Sequence, residues 1–232
     1  MQIASINPSR FPVRLFASAL TAGLACAGAA HANVLNNPGF ETPVTTSASN
    51  ALNNFPGFQG VWGPEVGAIT TATGGVTPAS GIRMLGMTDD GLSYTQAFQS
   101  VDVSSFAALI NSGNAQLNAG ALFNVGGGFT GAYAAVTVQF FTGSTYSSLI
   151  GNSGTGALTL DANPQTWENI AVASAIPVGT TWMVYQVAYQ NASIGTNTGF
   201  VDDAYLTITQ VPAPGALAAL GLAGLAANRR RR

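Results

Sequence analysis

Thr181-Trp-Met-Val-Tyr-Gln-Val-Ala-Tyr-Gln190 decides the fold. Met183, Tyr185, Val187 and Tyr189 fall on one side of an extended chain and Trp182, Val184, Gln186 and Ala188 on the other, because successive strand side chains point to opposite faces. The same alternation recurs on either side of this stretch. Residues 134–141 set Val136, Val138 and Phe140 against Thr137 and Gln139, and residues 204–209 set Ala204, Leu206 and Ile208 against Tyr205, Thr207 and Thr209. Further predicted strands are 66–71, 82–87, 93–101, 115–123, 157–160 and 167–171. Turn residues divide them: Asp89-Asp90-Gly91, Asn111-Ser112-Gly113, Gly126-Gly127-Gly128, Asn163-Pro164 and Pro177-Val178-Gly179. Helical spacing occurs only at 104–110, through Phe106, Ala107, Leu109 and Ile110. No repeat of solenoid or propeller period is present. Residues 33–210 are therefore expected to form one all-β domain, a jelly-roll β-sandwich with Greek-key crossovers.

Positive charge is concentrated at the ends of the chain. The chain has no lysine, and between residues 33 and 210 Arg83 is the one basic residue against nine acids, a net charge of −8. A surface without a basic patch has nothing to neutralise phosphates, so nucleic acid is excluded as a partner. Solubility must come from Asn, Gln, Ser, Thr and Gly, as suits surfaces that hydrogen-bond to sugars.

Residues 1–32 have the three parts of a secretory signal: Arg10 and Arg14, an uncharged apolar stretch over 15–30, and the small-x-small site Ala30-His31-Ala32. Cleavage after Ala32 by signal peptidase, following passage through the Sec translocon, is expected. Residues 211–232 form a second addressed segment. Val211-Pro212-Ala213-Pro214 is rigid and extended, an Ala/Leu/Gly run follows over 215–227, and Arg229, Arg230, Arg231 and Arg232 close the chain. Thirteen helical residues rise about 20 Å against a hydrocarbon core of about 30 Å, enough for a transient inner-membrane contact held by the arginines. This order resembles the PEP-CTERM sorting signal, with Ala213 replacing the usual glutamate between the prolines. The resemblance implies an exosortase-type processing enzyme, a Gram-negative host that makes exopolysaccharide, and a place at the cell surface or in the extracellular matrix.

Two stretches of the body carry another resemblance. Asn33-Val-Leu-Asn-Asn-Pro-Gly-Phe-Glu41 and Gly199-Phe-Val-Asp-Asp-Ala-Tyr-Leu206 look like the opening and closing strands of galactose-binding-like, carbohydrate-binding-module-like jelly rolls. Ile176-Pro-Val-Gly-Thr180 fits their penultimate segment. That family implies a structural Ca²⁺ shared by Glu41 and the pair Asp202-Asp203, hard oxygen donors of the kind calcium takes. Neighbouring strand residues face opposite ways, so one of the two aspartates is expected to contribute its side chain. The alternative is that these acids are solvated strand ends.

Sugar rings dock on exposed aromatic faces. Trp62, Trp167, Trp182, Tyr94, Tyr133 and Tyr146 are the possible stacking rings, and each can equally be core. Trp182 shares a strand face with Val184 and reads as core. Trp62, flanked by Gly60, Gly63 and Pro64, reads as loop-borne and with Tyr94 is the candidate ligand contact. Chemistry is narrowed by counting. Cys26 and His31, the only cysteine and histidine, lie in the signal segment. The processed chain would hold no His, Cys or Lys, which removes Ser-His-Asp and Cys-His catalysis, lysine Schiff bases and histidine-ligated zinc. No catalytic residue is assigned. A non-catalytic polysaccharide-binding protein is expected, with a structural or adhesive matrix protein as the alternative. A carboxylate-only glycoside hydrolase is the third reading, since two acids about 5 to 9.5 Å apart suffice for that reaction.

Overall fold

The computed structural model describes residues 32–46, 54–88, 94–127, 130–190 and 198–211. The signal segment up to His31, the sorting tail beyond Val211 and the Asp89-Asp90-Gly91 turn lie outside them. Eleven strands are present among the described residues: β1 (Gly63–Pro64), β2 (Gly67–Thr70), β3 (Met84–Met87), β4 (Tyr94–Asp102), β5 (Ala115–Val125), β6 (Tyr133–Phe141), β7 (Leu149–Gly154), β8 (Leu158–Thr159), β9 (Glu168–Ala175), β10 (Trp182–Gln190) and β11 (Gly199–Gln210). One short helix, α1 (Ala107–Asn111), follows a 3₁₀ turn at Ser104–Phe106, where the helical spacing was read. No helix among the described residues is long and apolar enough to cross a membrane.

The strands make two antiparallel sheets, the two layers of a jelly-roll sandwich. One runs β1-β4-β10-β6-β7, with β8 also paired to β6; the other runs β2-β3-β11-β5-β9. Sequence neighbours such as β10 and β11 lie in different sheets, which is the crossover topology expected. β7 was not predicted: Leu149-Ile-Gly-Asn-Ser-Gly154 has no apolar alternation, and it forms by adding to the edge of β6.

The alternation in β10 is obeyed. Met183, Tyr185, Val187 and Tyr189 are fully buried between the sheets, beside Ala134, Val136, Val138 and Phe140 of β6. Leu117, Ala119, Ala121 and Phe123 of β5 and Val201, Leu206 and Ile208 of β11 meet them from the facing sheet. A buried phenol must keep a partner for its hydroxyl. Tyr185 Oη–H donates to the Gly120 carbonyl at 2.7 Å, and Tyr189 Oη bonds to the carbonyls of Asn124 and Phe200. All three bonds run from β10 across the core to the other sheet. Burial pushes both phenol pKa values well above the usual range, so they stay protonated donors.

Two expectations are corrected. Residues 33–41 do not form an opening strand. Asn37 and Phe40 take positive φ (47° and 55°), which breaks any ladder. The segment instead runs along β11 through the bonds Val34 N–H to Leu206 O (2.9 Å) and Ala204 N–H to Pro38 O (2.9 Å). Trp182 lies outside the main core. It is half-buried on the outer sheet face, against Phe55, Phe98, Phe141 and Val184, where the 54–62 segment covers one end of the sheet.

Gly199 abuts Tyr189 so closely that a Cβ there would lie 2.7 Å from three ring atoms. Gly199→Ala must push the ring that carries the inter-sheet bond. Overpacking of this kind costs about 1–3 kcal/mol, and urea unfolding is expected to show that loss.

Candidate functional site

The outer face of the six-stranded sheet carries a cleft. Strand register builds it: Gln190 pairs with Tyr94 of β4 on one side and Tyr133 of β6 on the other, and Ala188 pairs with Gln96 and Ala135 in the same way. Two cross-strand rows result, Tyr94–Gln190–Tyr133 and Gln96–Ala188–Ala135. Adjacent strands are about 4.8 Å apart, so the tyrosines stand about 10 Å apart with the glutamine between them. The alanines leave the floor low. The cleft encloses about 270 Å³ and is completed by Gln186 and by Ala157 before β8. Tyr94 is half exposed, at 50%. Of the rings considered from sequence, Tyr94 and Tyr133 line this cleft. The glutamines Gln96, Gln186 and Gln190 were not singled out, because only register brings them together.

The amides are linked across the sheet. Gln186 Nε2–H donates to Gln96 Oε1, and Gln96 Nε2–H donates to Glu65 Oε1 at 3.2 Å. A second cleft of about 250 Å³ lies where residues 34–36 cross β4. Its Gln99 is fully buried, and both ends of its amide are held by the Asn36 backbone at 2.7 and 2.9 Å.

Trp62 is corrected. It is buried at 0% exposure, packed on Phe40 (ring centroids 4.8 Å) and Tyr185 (5.9 Å), with its indole N–H donated to the Asn37 carbonyl at 3.0 Å. Its neighbours Gly63 and Pro64 form β1, which docks the ring inward, so Trp62 cannot stack on a ligand. Among the other rings, Trp167 is tied by its indole N–H to Thr77 O (3.0 Å) and Tyr146 packs on Phe141 (5.7 Å).

Glu41, Asp202 and Asp203 do come to one region, but they grip a loop and do not surround a point. Glu41 Oε1 accepts the backbone N–H groups of Ile82 (3.0 Å) and Arg83 (3.2 Å). Asp202 Oδ2 accepts those of Ala79 (2.8 Å) and Ser80 (3.2 Å), and its Oδ1 accepts the Asp203 N–H at 2.8 Å. Asp203 Oδ1 accepts the Ser80 hydroxyl at 2.6 Å. Both aspartates face this loop, against the alternation expected, because the β11 register shifts between Asp202 and Tyr205 and Asp203 takes a φ of 45°. Gly81 permits the grip: it sits at φ +59°, and a Cβ there would lie 2.0 Å from Glu41 Oε1. These oxygens are engaged by N–H and O–H donors of the loop, and no group of three acidic, His or Cys ligands is found together among the described residues.

No protein-family model matches the chain, and no curated protein matches it in sequence. Solved structures share its backbone. The apo form of a cyclase from Fischerella sp. is similar with a TM-score of 0.52 at 11% identity, over 79% of this chain and 98% of that one. TmCBM61 in complex with β-1,4-galactotriose gives 0.48 at 16% identity, over 76% and 98%. The CBM22-1 xylan-binding domain of Paenibacillus barcinonensis Xyn10C gives 0.45 at 13% identity, over 75% and 92%. At 11% identity the likeness to the cyclase is one of fold alone.

Burial raises Asp202 from the ordinary 3.8 to about 6. The N–H bonds from Ser80, Asp203 and Ala79 pull it back, and the charge of Asp203 adds to the rise. The folded state then binds more protons than the unfolded chain between these values. The stability contributed by protonated Asp202 is full below about pH 4 and is lost as pH rises through 6. After solvent screening the loss is about 1–2 kcal/mol. Melts from pH 4 to 7 are expected to show this decline. Asp202→Asn should flatten it.

Proposed function

We propose that this chain is an exported cell-surface or matrix protein whose sandwich binds polysaccharide, without catalysis, in the cleft on the outer face of the β4-β10-β6 strands. The row Tyr94–Gln190–Tyr133 carries this reading. A pyranose has apolar faces and a hydroxyl rim. Tyrosine rings offer flat apolar area with a polar tip, and the amides of Gln96, Gln186 and Gln190 offer both donors and acceptors to hydroxyls. The low Ala135 and Ala188 floor lets a ring approach the sheet. Among the described residues, those that line the cleft include no carboxylate, and glycoside hydrolysis requires two.

The address rests on the chain ends. Arg10, Arg14 and the Ala30-His31-Ala32 site support export, and Val211-Pro212-Ala213-Pro214 with Arg229–Arg232 supports handling by an exosortase-type enzyme after a transient contact with the inner membrane. The mature protein would then sit in the surface or matrix of a Gram-negative cell, where exopolysaccharide is the available partner. Intact-mass measurement on protein from the native host is expected to give a chain that begins at Asn33 and lacks the terminal arginines. A mass for the whole of 1–232 would remove the sorting proposal.

Binding is tested on an array of polysaccharides. Tyr94→Ala and Tyr133→Ala should each weaken binding about ten-fold, the worth of one stacked ring, with Tm little changed because neither ring is in the core. An array with no ligand at all would leave the structural or adhesive reading instead.

A further inference from the structure

We infer that the β9 edge is a self-association surface, on which β9 of a second copy of this chain pairs antiparallel about Val172 and continues the sheet across both copies. The two sheets end in β1 and β7 and in β2 and β9. An exposed strand edge invites pairing with another chain, and proteins blunt it with short strands, bulges, charges or proline. β1 and β2 are short, at two and four residues. β7 is broken by a register shift against β6 and carries Gly151 and Gly154. β9 has none of these devices. It runs eight residues in unbroken register with β5, contains no proline, glycine or lysine, and is uncharged from Asn169 to Ala175. β5 is its one strand partner among the described residues.

The ladder with β5 decides which backbone groups β9 offers. Ile176 N–H donates to the Ala115 carbonyl at 3.0 Å. By alternation Ile170, Val172 and Ser174 turn their backbone groups to β5, and Asn169, Ala171, Ala173 and Ala175 turn theirs to the open side. A two-fold axis through Val172 sets Ala171 opposite Ala173 of the second copy and Asn169 opposite its Ala175. Each is then a hydrogen-bonded pair, about eight backbone bonds in all. These four residues are exposed, and three of them carry only a methyl group, so nothing bulky holds a second strand away. Charge favours this register as well. The net charge of −8 on residues 33–210 opposes association elsewhere. Here the one acid of the strand, Glu168, would stand about 26 Å from its counterpart, beyond the Debye length of about 8 Å. β7, which lies against β9, adds the exposed side chains of Leu149 and Ile150 to the same flank, apolar surface that a second copy would cover. The axis stands normal to the sheet, so the clefts of both copies open on one side, and the pairing does not depend on what they bind.

The test is sedimentation equilibrium of the purified chain over a range of concentrations, in which the wild type should pass from monomer to dimer. Ala171→Pro removes an N–H that the β5 ladder does not use. Ala173→Lys brings two ammonium groups to diagonal positions across the axis. Each should weaken the dimer about ten-fold or more while Tm stays near the wild type. The register is read by cross-linking in a Cys26→Ser chain. Val172→Cys should oxidise to a covalent dimer, because the two residues face each other across the axis, whereas Asn169→Cys, about 20 Å from its counterpart, should not. A wild type that stays monomeric at every concentration overturns the inference. So does a dimer that both edge variants leave intact, or one that Asn169→Cys traps as readily as Val172→Cys.

Discussion

The hydroxyls of Tyr185 and Tyr189 set the terms for the sandwich. Each is buried, and each reaches a carbonyl of the facing sheet, at Gly120 for one and at Asn124 and Phe200 for the other. Leaving one such donor unpaired in the core would cost about 1–3 kcal/mol. Sliding β10 by one residue would turn both phenols outward and bring Gln186, Ala188 and Gln190 inward. The bonds therefore fix the register of β10, and through period two they also fix what the outer face displays. The cleft is a consequence of the core: Gln190 stands between Tyr94 and Tyr133 because Tyr189 points the other way.

Much of this was legible in the sequence. The alternation of 181–190, 134–141 and 204–209 located three central strands, since half-buried strands must alternate. Other features depended on information that no local pattern carries. Trp62 sits among glycines and proline, which read as a loop, yet the Asn37 carbonyl and the faces of Phe40 and Tyr185 take it into the core. Asp202 and Asp203 share one direction only because a bulge with positive φ intervenes. The opening segment has the residues of a strand, but Asn37 and Phe40 in the left-handed region turn it away from ladder geometry. Tyr94 and Tyr133 could be named as rings, while the glutamines between them needed the pairing of three strands distant in sequence.

The acids show how a nearly charge-free body uses its few charges. Glu41, Asp202 and Asp203 bind backbone N–H groups and a hydroxyl of residues 79–83. Bonds of this charge-assisted kind are stronger than neutral ones. They tie a loop that enters β3 to the N-terminal segment and to β11. A chain without disulfides or lysines closes its sheet edge in this way.

The same economy bears on the cleft. A free glutamine side chain loses about 0.5–1.5 kcal/mol of rotamer freedom when a ligand immobilises it. The relay from Gln186 through Gln96 to Glu65 restricts that freedom before any ligand arrives. The entropic loss is then met in folding, where β4 and β10 are already held by the tyrosines of the core. Order passes from the buried phenols to β10, from β10 to the neighbouring amides, and ends at the Glu65 carboxylate. A surface built of uncharged side chains acquires directional hydrogen-bonding capacity by being continuous with the strand that the buried phenols hold in register.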